Sequence, residues 1–192
     1  MTDSIPSGIK PAYPVNVTRN KVREKLYEVL GMDDLPLEVD FKILSSEVDD
    51  EGLRITRVAY PNSLGETLNG IITMPSEPSS ILAGVVCMPG TSGTAERVAY
   101  QKYYRPNPIK GQLLGWGREL ACRGFATISI TLKGCESRRE TVDLWEMEAK
   151  LLVAYGRPQM GIVAEEALRA SRVLGAVNGV DASRIGLTGM SM

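Results

Sequence analysis

The chain has 192 residues, with 22 lysines and arginines against 23 aspartates and glutamates, for a formal net charge of −1. That balance excludes the basic surplus on which non-specific nucleic-acid binding depends. Hydrophobic residues at 43 % and charged ones at 23 % describe a globular chain that can bury one core. Histidine is absent, so these residues offer no imidazole base and no histidine metal ligand.

The opening Met1-Thr-Asp-Ser-Ile-Pro-Ser-Gly8 lacks the basic and apolar regions of a signal peptide. No stretch approaches the roughly 20 apolar residues that span a bilayer. A cytoplasmic protein with no membrane partner is expected. Cys87, Cys122 and Cys135 fit no zinc or redox spacing. Cys87 and Cys122 read as small core residues, and Cys135 as an ordinary loop residue. Residues 1–19, with Pro6, Pro11 and Pro14, read as an extended arm, and 20–192 as one domain.

The first expected element is a helix over 21–30, capped by Asn20 and ended by Gly31. Two β-like runs follow at 37–46 and 53–60, joined by the hairpin signal Asp49-Asp-Glu-Gly52. Pro61-Asn-Ser-Leu-Gly65 turns the chain into a third run at 68–74. This opening third reads as an antiparallel meander. The pattern then changes. The continuously apolar run 81–88 fits a strand buried on both faces, and Pro89-Gly-Thr-Ser-Gly93 stops it. A polar, tyrosine-bearing stretch leads to a helix at about 112–122, a buried strand at 125–132 and a helix at 142–154. The next helix carries Met160, Val163, Ala164, Ala167, Leu168 and Leu174 on one face, with Glu165 and Arg169 as an exposed i,i+4 pair. A last buried strand is expected at 184–188. Strand and helix alternating with short turns imply right-handed crossovers and a parallel sheet, so the fold class is α/β.

The chain closes with Thr188-Gly-Met-Ser-Met192. Gly-x-Ser-x supplies four of the five positions of the nucleophile elbow G-x-S-x-G, directly after a buried strand. The elbow needs small residues because its serine sits in a strained strand-to-helix turn. Gly90-Thr-Ser-Gly93 lacks the following Gly-Lys-Ser/Thr of a phosphate loop, and Gly115-Trp-Gly117 reads as a packing site rather than a dinucleotide fingerprint. Lys133-Gly-Cys-Glu-Ser-Arg-Arg139 reads as a solvated charge cluster.

From about residue 20 onward the sequence resembles the N-terminal part of an α/β-hydrolase. It is most similar to the branch of acetyl xylan esterases and dienelactone hydrolases. The resemblance rests on Tyr155-Gly-Arg-Pro-Gln-Met-Gly161, the helix after it, and Val180-Asp-Ala-Ser-Arg-Ile-Gly-Leu-Thr-Gly-Met-Ser-Met192. It implies Ser191 as nucleophile and the backbone N–H groups of Met192 and Thr91 as the oxyanion hole. It also implies a small-molecule ester as substrate, with neither metal nor organic cofactor. Pro89 stands where the family commonly has a histidine. Tyr100, Tyr103 and Tyr104 follow the oxyanion turn and are candidates for a substrate wall. In this family the triad acid and histidine come after the serine. The ending therefore reads as that of a fragment of a longer serine ester hydrolase, and the 192 residues alone are expected to be inactive. Two alternatives are an inactive hydrolase-like binding module or half of a split pair, and a peptidase of the same fold. Nothing in the sequence sets an oligomeric state.

Overall fold

A computed structural model describes residues 18–32, 38–90, 93–100, 115–135, 138 and 142–190, with the side chains of 142–146 excepted. The arm expected at the start, the tyrosines Tyr103 and Tyr104, and the residues Thr91, Ser191 and Met192 lie outside them.

Helix α1 (Arg19–Leu30) starts two residues earlier than expected, because Thr18 rather than Asn20 takes the cap, its side chain accepting from the Lys21 N–H. Gly31 ends it in the left-handed region, at φ 65°. Strands β1 (Lys42–Val48), β2 (Leu53–Pro61) and β3 (Thr67–Pro75) form the antiparallel meander. β1 begins later than its sequence signal. Val39 and Phe41, which supplied that signal, pack on the main core from an irregular segment instead of pairing. Every residue of β1 is exposed, as befits an edge strand.

Strand β4 (Leu82–Met88) precedes α2 (Ala95–Tyr100), a short helix within the stretch read as polar loop. Then come α3 (Trp116–Cys122), β5 (Ala126–Ile130), α4 (Val142–Ala154), α5 (Gln159–Gly175) and β6 (Val180–Gly189). The six strands make one mixed sheet in the order β1-β2-β3-β5-β4-β6. β5, β4 and β6 run parallel, and β3 joins β5 antiparallel. On one face α5 covers the main core, where Val58, Ile72, Val86, Ile128, Val173 and Leu174 are almost wholly buried. On the other, α2 lies against Ile55 and Ile71. Gly117, in the Gly115-Trp-Gly117 segment read as packing, is buried where an added Cβ would meet Val98 and Ser129 within 3 Å.

Two of the cysteine expectations need correction. Cys122 is exposed at the end of α3, and Cys135 is buried; only Cys87 sits where the sequence put it. α5 is buried on more than its expected face, of which Val163, Ala167 and Leu174 are buried. Met160 is exposed, whereas Glu165, Glu166 and Arg169 are buried. The expected exposed pair Glu165–Arg169 is therefore an interior one.

The end of α1 docks on the start of α5. A Cβ on Gly161 would lie 2.0 Å from the Leu30 carbonyl oxygen, and one on Gly31 would lie 2.1 Å from that of Gly156. Alanine is intrinsically better than glycine inside a helix by about 1 kcal/mol. Here the clash is with backbone and outweighs that gain. Gly161→Ala is expected to destabilise the protein by about 1–3 kcal/mol and to speed amide exchange in α1. A higher melting temperature for the variant would show that the two helix ends do not meet.

Candidate active site

Because β5, β4 and β6 are parallel, their carboxyl ends share one edge of the sheet, the edge where ligands bind in open α/β folds. β4 and β6 are neighbours there. Cys87 pairs with Thr188 and Met88 with Gly189, and the Met190 N–H donates to the Met88 carbonyl at 3.2 Å. Met190 immediately precedes Ser191, and Gly90 immediately precedes Thr91. The two segments that carry the expected nucleophile and the expected oxyanion donor thus leave the sheet side by side.

The start of β6 is fixed with equal care. The register with β4 slips over residues 181–184, where Asp181 accepts from the Ser183 N–H at 2.9 Å, the Ser183 hydroxyl and the Arg184 Nε. These bonds hold the Asp181 carboxyl at a pKa of about 2. Arg184 then donates to the Ile81 carbonyl at 3.0 Å, and the Leu82 N–H donates to Gly179 at 2.8 Å. After β4, the Gly93 N–H donates to the Gly90 carbonyl at 2.8 Å, which closes a tight turn. A Cβ on Gly93 would lie 2.3 Å from that of Pro89, so the turn admits only glycine there.

A cavity of about 530 Å³ opens between α3 and the end of β6, walled by Trp116, Leu120, Thr188 and Met190. A second groove, of about 450 Å³, lies at the opposite edge of the sheet among Phe41, Val58, Met74 and Val177. Only the first is beside the elbow segment. Tyr100 packs against the α2-side cluster with the Arg57 guanidinium 5.2 Å from its ring centroid. Arg57 lies on β2, four strand spacings from β6, or about 19 Å at ~4.8 Å per strand.

The segment read as a solvated charge cluster is instead tied into the interior. Glu166, 1 % exposed, takes two bonds from Arg138 at 2.6 and 2.8 Å, one from Asn62 at 3.1 Å and one from the Lys133 N–H at 3.3 Å. Glu165, 0 % exposed, takes bonds from Arg169 at 2.6 Å, Arg157 at 2.8 Å and the Ser63 N–H at 2.9 Å. Glu66 bridges Arg138 and Lys133, and Lys133 also reaches Glu148. Burial works against charge on Glu66, but Lys133, Asn62 and Arg138 outweigh it and keep its carboxyl below the ordinary 4.5. Burial likewise opposes charge on Lys133, and its hydrogen bonds to Glu148 and Glu66 leave it above the ordinary 10.5. The cluster pins the segment after β5 and the β2–β3 turn to the first half of α5, along the same edge as the elbow. No sequence motif announced it. The available signal was the adjacency of Glu165 and Glu166 within Ile162-Val-Ala-Glu-Glu-Ala167, where a purely wet face would not place two acids among apolar residues.

Among the described residues no group of three or more Cys, Asp or Glu could hold a metal ion, and no helix is long and apolar enough to cross a membrane.

A mixed sheet with this strand order, flanked by helices and ending at a Gly-x-Ser segment, has the fold of the α/β-hydrolases over part of their length. The structure is similar to that of a protein from Bacteroides fragilis NCTC 9343 provisionally assigned as an acetyl xylan esterase, with a TM-score of 0.72 and 13 % identity. That match covers 90 % of this chain and 46 % of the other. The acetyl xylan esterase of Paenibacillus sp. R4 is similar with a TM-score of 0.56 and 20 % identity, over 94 % of this chain and 54 % of that one. A glucuronoyl esterase from Solibacter usitatus is similar with a TM-score of 0.58 and 13 % identity, over 82 % and 47 % of the two chains. The chain therefore spans about half the length of these structures. No family model and no curated protein matches the sequence.

Removing the Glu166 charge leaves the Arg138 guanidinium without its bidentate partner. Glu166→Gln is expected to cost about 3–5 kcal/mol in urea unfolding, the range for breaking one side of a buried pair. A loss below about 1 kcal/mol would show the pair to be solvated. The lowered carboxyl of Glu66 contributes stability that is complete above its unfolded pKa, near 4.5, and is lost as pH falls further. The melting temperature should drop below that pH, and Glu66→Gln should flatten part of the drop. An acid limb identical in the two proteins would remove Glu66 from the account.

Proposed function

We propose that this chain is the nucleophile-bearing part of a serine hydrolase that cleaves carboxylic esters of small molecules. The observation that supports it best is the pairing of Met88 with Gly189 at the carboxyl edge, which sets the segments bearing Thr91 and Ser191 next to each other. In this reading the Ser191 hydroxyl gives its proton to a base as it attacks the ester carbonyl, and the tetrahedral intermediate breaks its bond to the alcohol, which leaves protonated as the acyl-serine forms. The N–H groups of Thr91 and Met192 stabilise the oxyanion, each by about 3 kcal/mol where such donors have been removed elsewhere. Water then releases the acid. No cofactor takes part.

The 192 residues contain no histidine, so a histidine base for the serine proton would come from outside them. We infer that it is supplied by further polypeptide, in the same chain or in a second one. The similarity to acetyl xylan and glucuronoyl esterases favours an ester over a peptide substrate.

Fluorophosphonate labelling of the protein as its native gene encodes it tests this reading. Labelling that vanishes in Ser191→Ala, with ester hydrolysis falling at least about 10³-fold, is the expected result. A folded native protein that takes no label would leave Ser191 an ordinary serine and favour the inactive binding module.

A further inference from the structure

The residues of β5 alternate between the two faces of the sheet. Ala126, Ile128 and Ile130 fill the core beneath α5, and Ser129 stands on the other face, against Gly117 of α3. The next residue on that second face is Thr131, one step past the end of the strand. β4 and β5 run in parallel register as far as Cys87 and Ser129. Two residues further along each chain come Pro89, which opens the oxyanion turn, and Thr131.

The two oxygens of Thr131 are used in different directions. Its hydroxyl accepts from the Ala95 N–H at 2.9 Å. Ala95 is the first residue of α2 and only 2 % exposed, so this amide, which has no acceptor within its own helix, finds one on β5's side of the contact. The carbonyl of Thr131 accepts from Arg138 at 2.9 Å, and Arg138 is held by its fork on the buried Glu166. Within α2's own segment, Thr94 caps a later amide, that of Arg97, at 3.3 Å. The turn after β4 is thereby fixed on both flanks. On one side Gly90 follows the strand and accepts from the Gly93 N–H at 2.8 Å. On the other, Ala95 is tied to Thr131. Thr91, the expected oxyanion donor, falls between these two anchors in the sequence. A donor of this kind stabilises the transition state only if its place is set before the charge develops.

We propose that Thr131 is a positioning residue for the oxyanion turn, joining the start of α2 to the end of β5 and, through Arg138, to Glu166. The role rests on the serine-hydrolase reading above. Thr131→Val keeps the shape of the side chain and removes the acceptor, whereas Thr131→Ser keeps the acceptor. In the protein as its native gene encodes it, Thr131→Val is expected to speed exchange of the Ala95 amide at least about tenfold. Its kcat for p-nitrophenyl acetate, counted per serine titrated by a fluorophosphonate so that an unfolded fraction does not enter, should fall about 10–100-fold. KM should hold, because acylation and deacylation both pass through an oxyanion and slow together. Thr131→Ser should restore both exchange and kcat. If the valine variant does not fold, Thr131→Ala, which leaves room for a water on the Ala95 amide, carries the same expectations. Unchanged exchange would overturn the proposal, as would faster exchange with kcat untouched, in a protein whose hydrolysis Ser191→Ala still abolishes. So would a rise in KM alone, which would set Thr131 against the substrate. Hydrolysis that survives Ser191→Ala would overturn the functional reading itself, and this role with it.

Discussion

Two adjacent glutamates on one turn of α5 organise the carboxyl edge of the parallel strands. Glu165 and Glu166 are withdrawn from water, and a bare buried carboxylate costs several kcal/mol. The structure answers that cost with cations drawn from three separate stretches of chain. Arg157 and Arg169 flank Glu165, and Arg138 forks onto Glu166. The β2–β3 turn joins through Asn62 and Ser63, whose own backbone is shaped by bonds to the Asn62 side chain at 2.9–3.0 Å. An apolar interior could have been as stable. What the charges add is direction: a carboxylate fork accepts only partners placed in its plane, so the turn, the helix and the segment after β5 have one arrangement relative to each other.

A second, smaller clamp works at the opposite edge of the sheet. Asp49 shapes the β1–β2 hairpin by accepting from the Glu51 and Leu53 N–H groups, both at 3.0 Å. Arg118 on α3 is buried against Asp49 and Glu51 of that hairpin. The meander, which is all antiparallel and sits at one end of the sheet, is thereby fastened to a helix of the parallel half. Both halves of the sheet are held by ionic contacts between segments far apart in sequence, over a core of Val, Ile and Leu that fixes only their distance.

The contrast explains what could be read from the residues alone. α4, β4 and the end of β6 were legible because each is decided locally, by an apolar run and by the glycine or proline that stops it. The Gly-x-Ser segment stands out as a spacing, and its serine lies outside the described residues. α5 was legible as a helix but not in its facing, since a Glu–Arg pair four apart is equally consistent with a wet surface and with an interior bridge. Ser63, about 100 residues away, and Arg157 tell the two apart. β1 was misplaced because Val39 and Phe41 are apolar for packing rather than for pairing. The edge at which β4 and β6 end side by side was implied by topology; the cluster that stiffens it depended on contacts no local pattern encodes.

The cysteines leave the protein with a convenient chemical asymmetry. Cys87 and Cys135 are sealed in the interior, and Cys122 at the end of α3 is the thiol that reaches solvent. Burial and the nearby Glu51, Glu119 and Asp49 keep its proton on above the ordinary pKa of 9.0, despite the pull of Arg118. Thiolate is therefore scarce at neutral pH, and air oxidation or mixed disulfides should be slow. At alkaline pH the same residue becomes a single addressable attachment point. A dye placed there would stand on the helix that Arg118 fastens to the hairpin, and would watch the two halves of the sheet part as the chain unfolds.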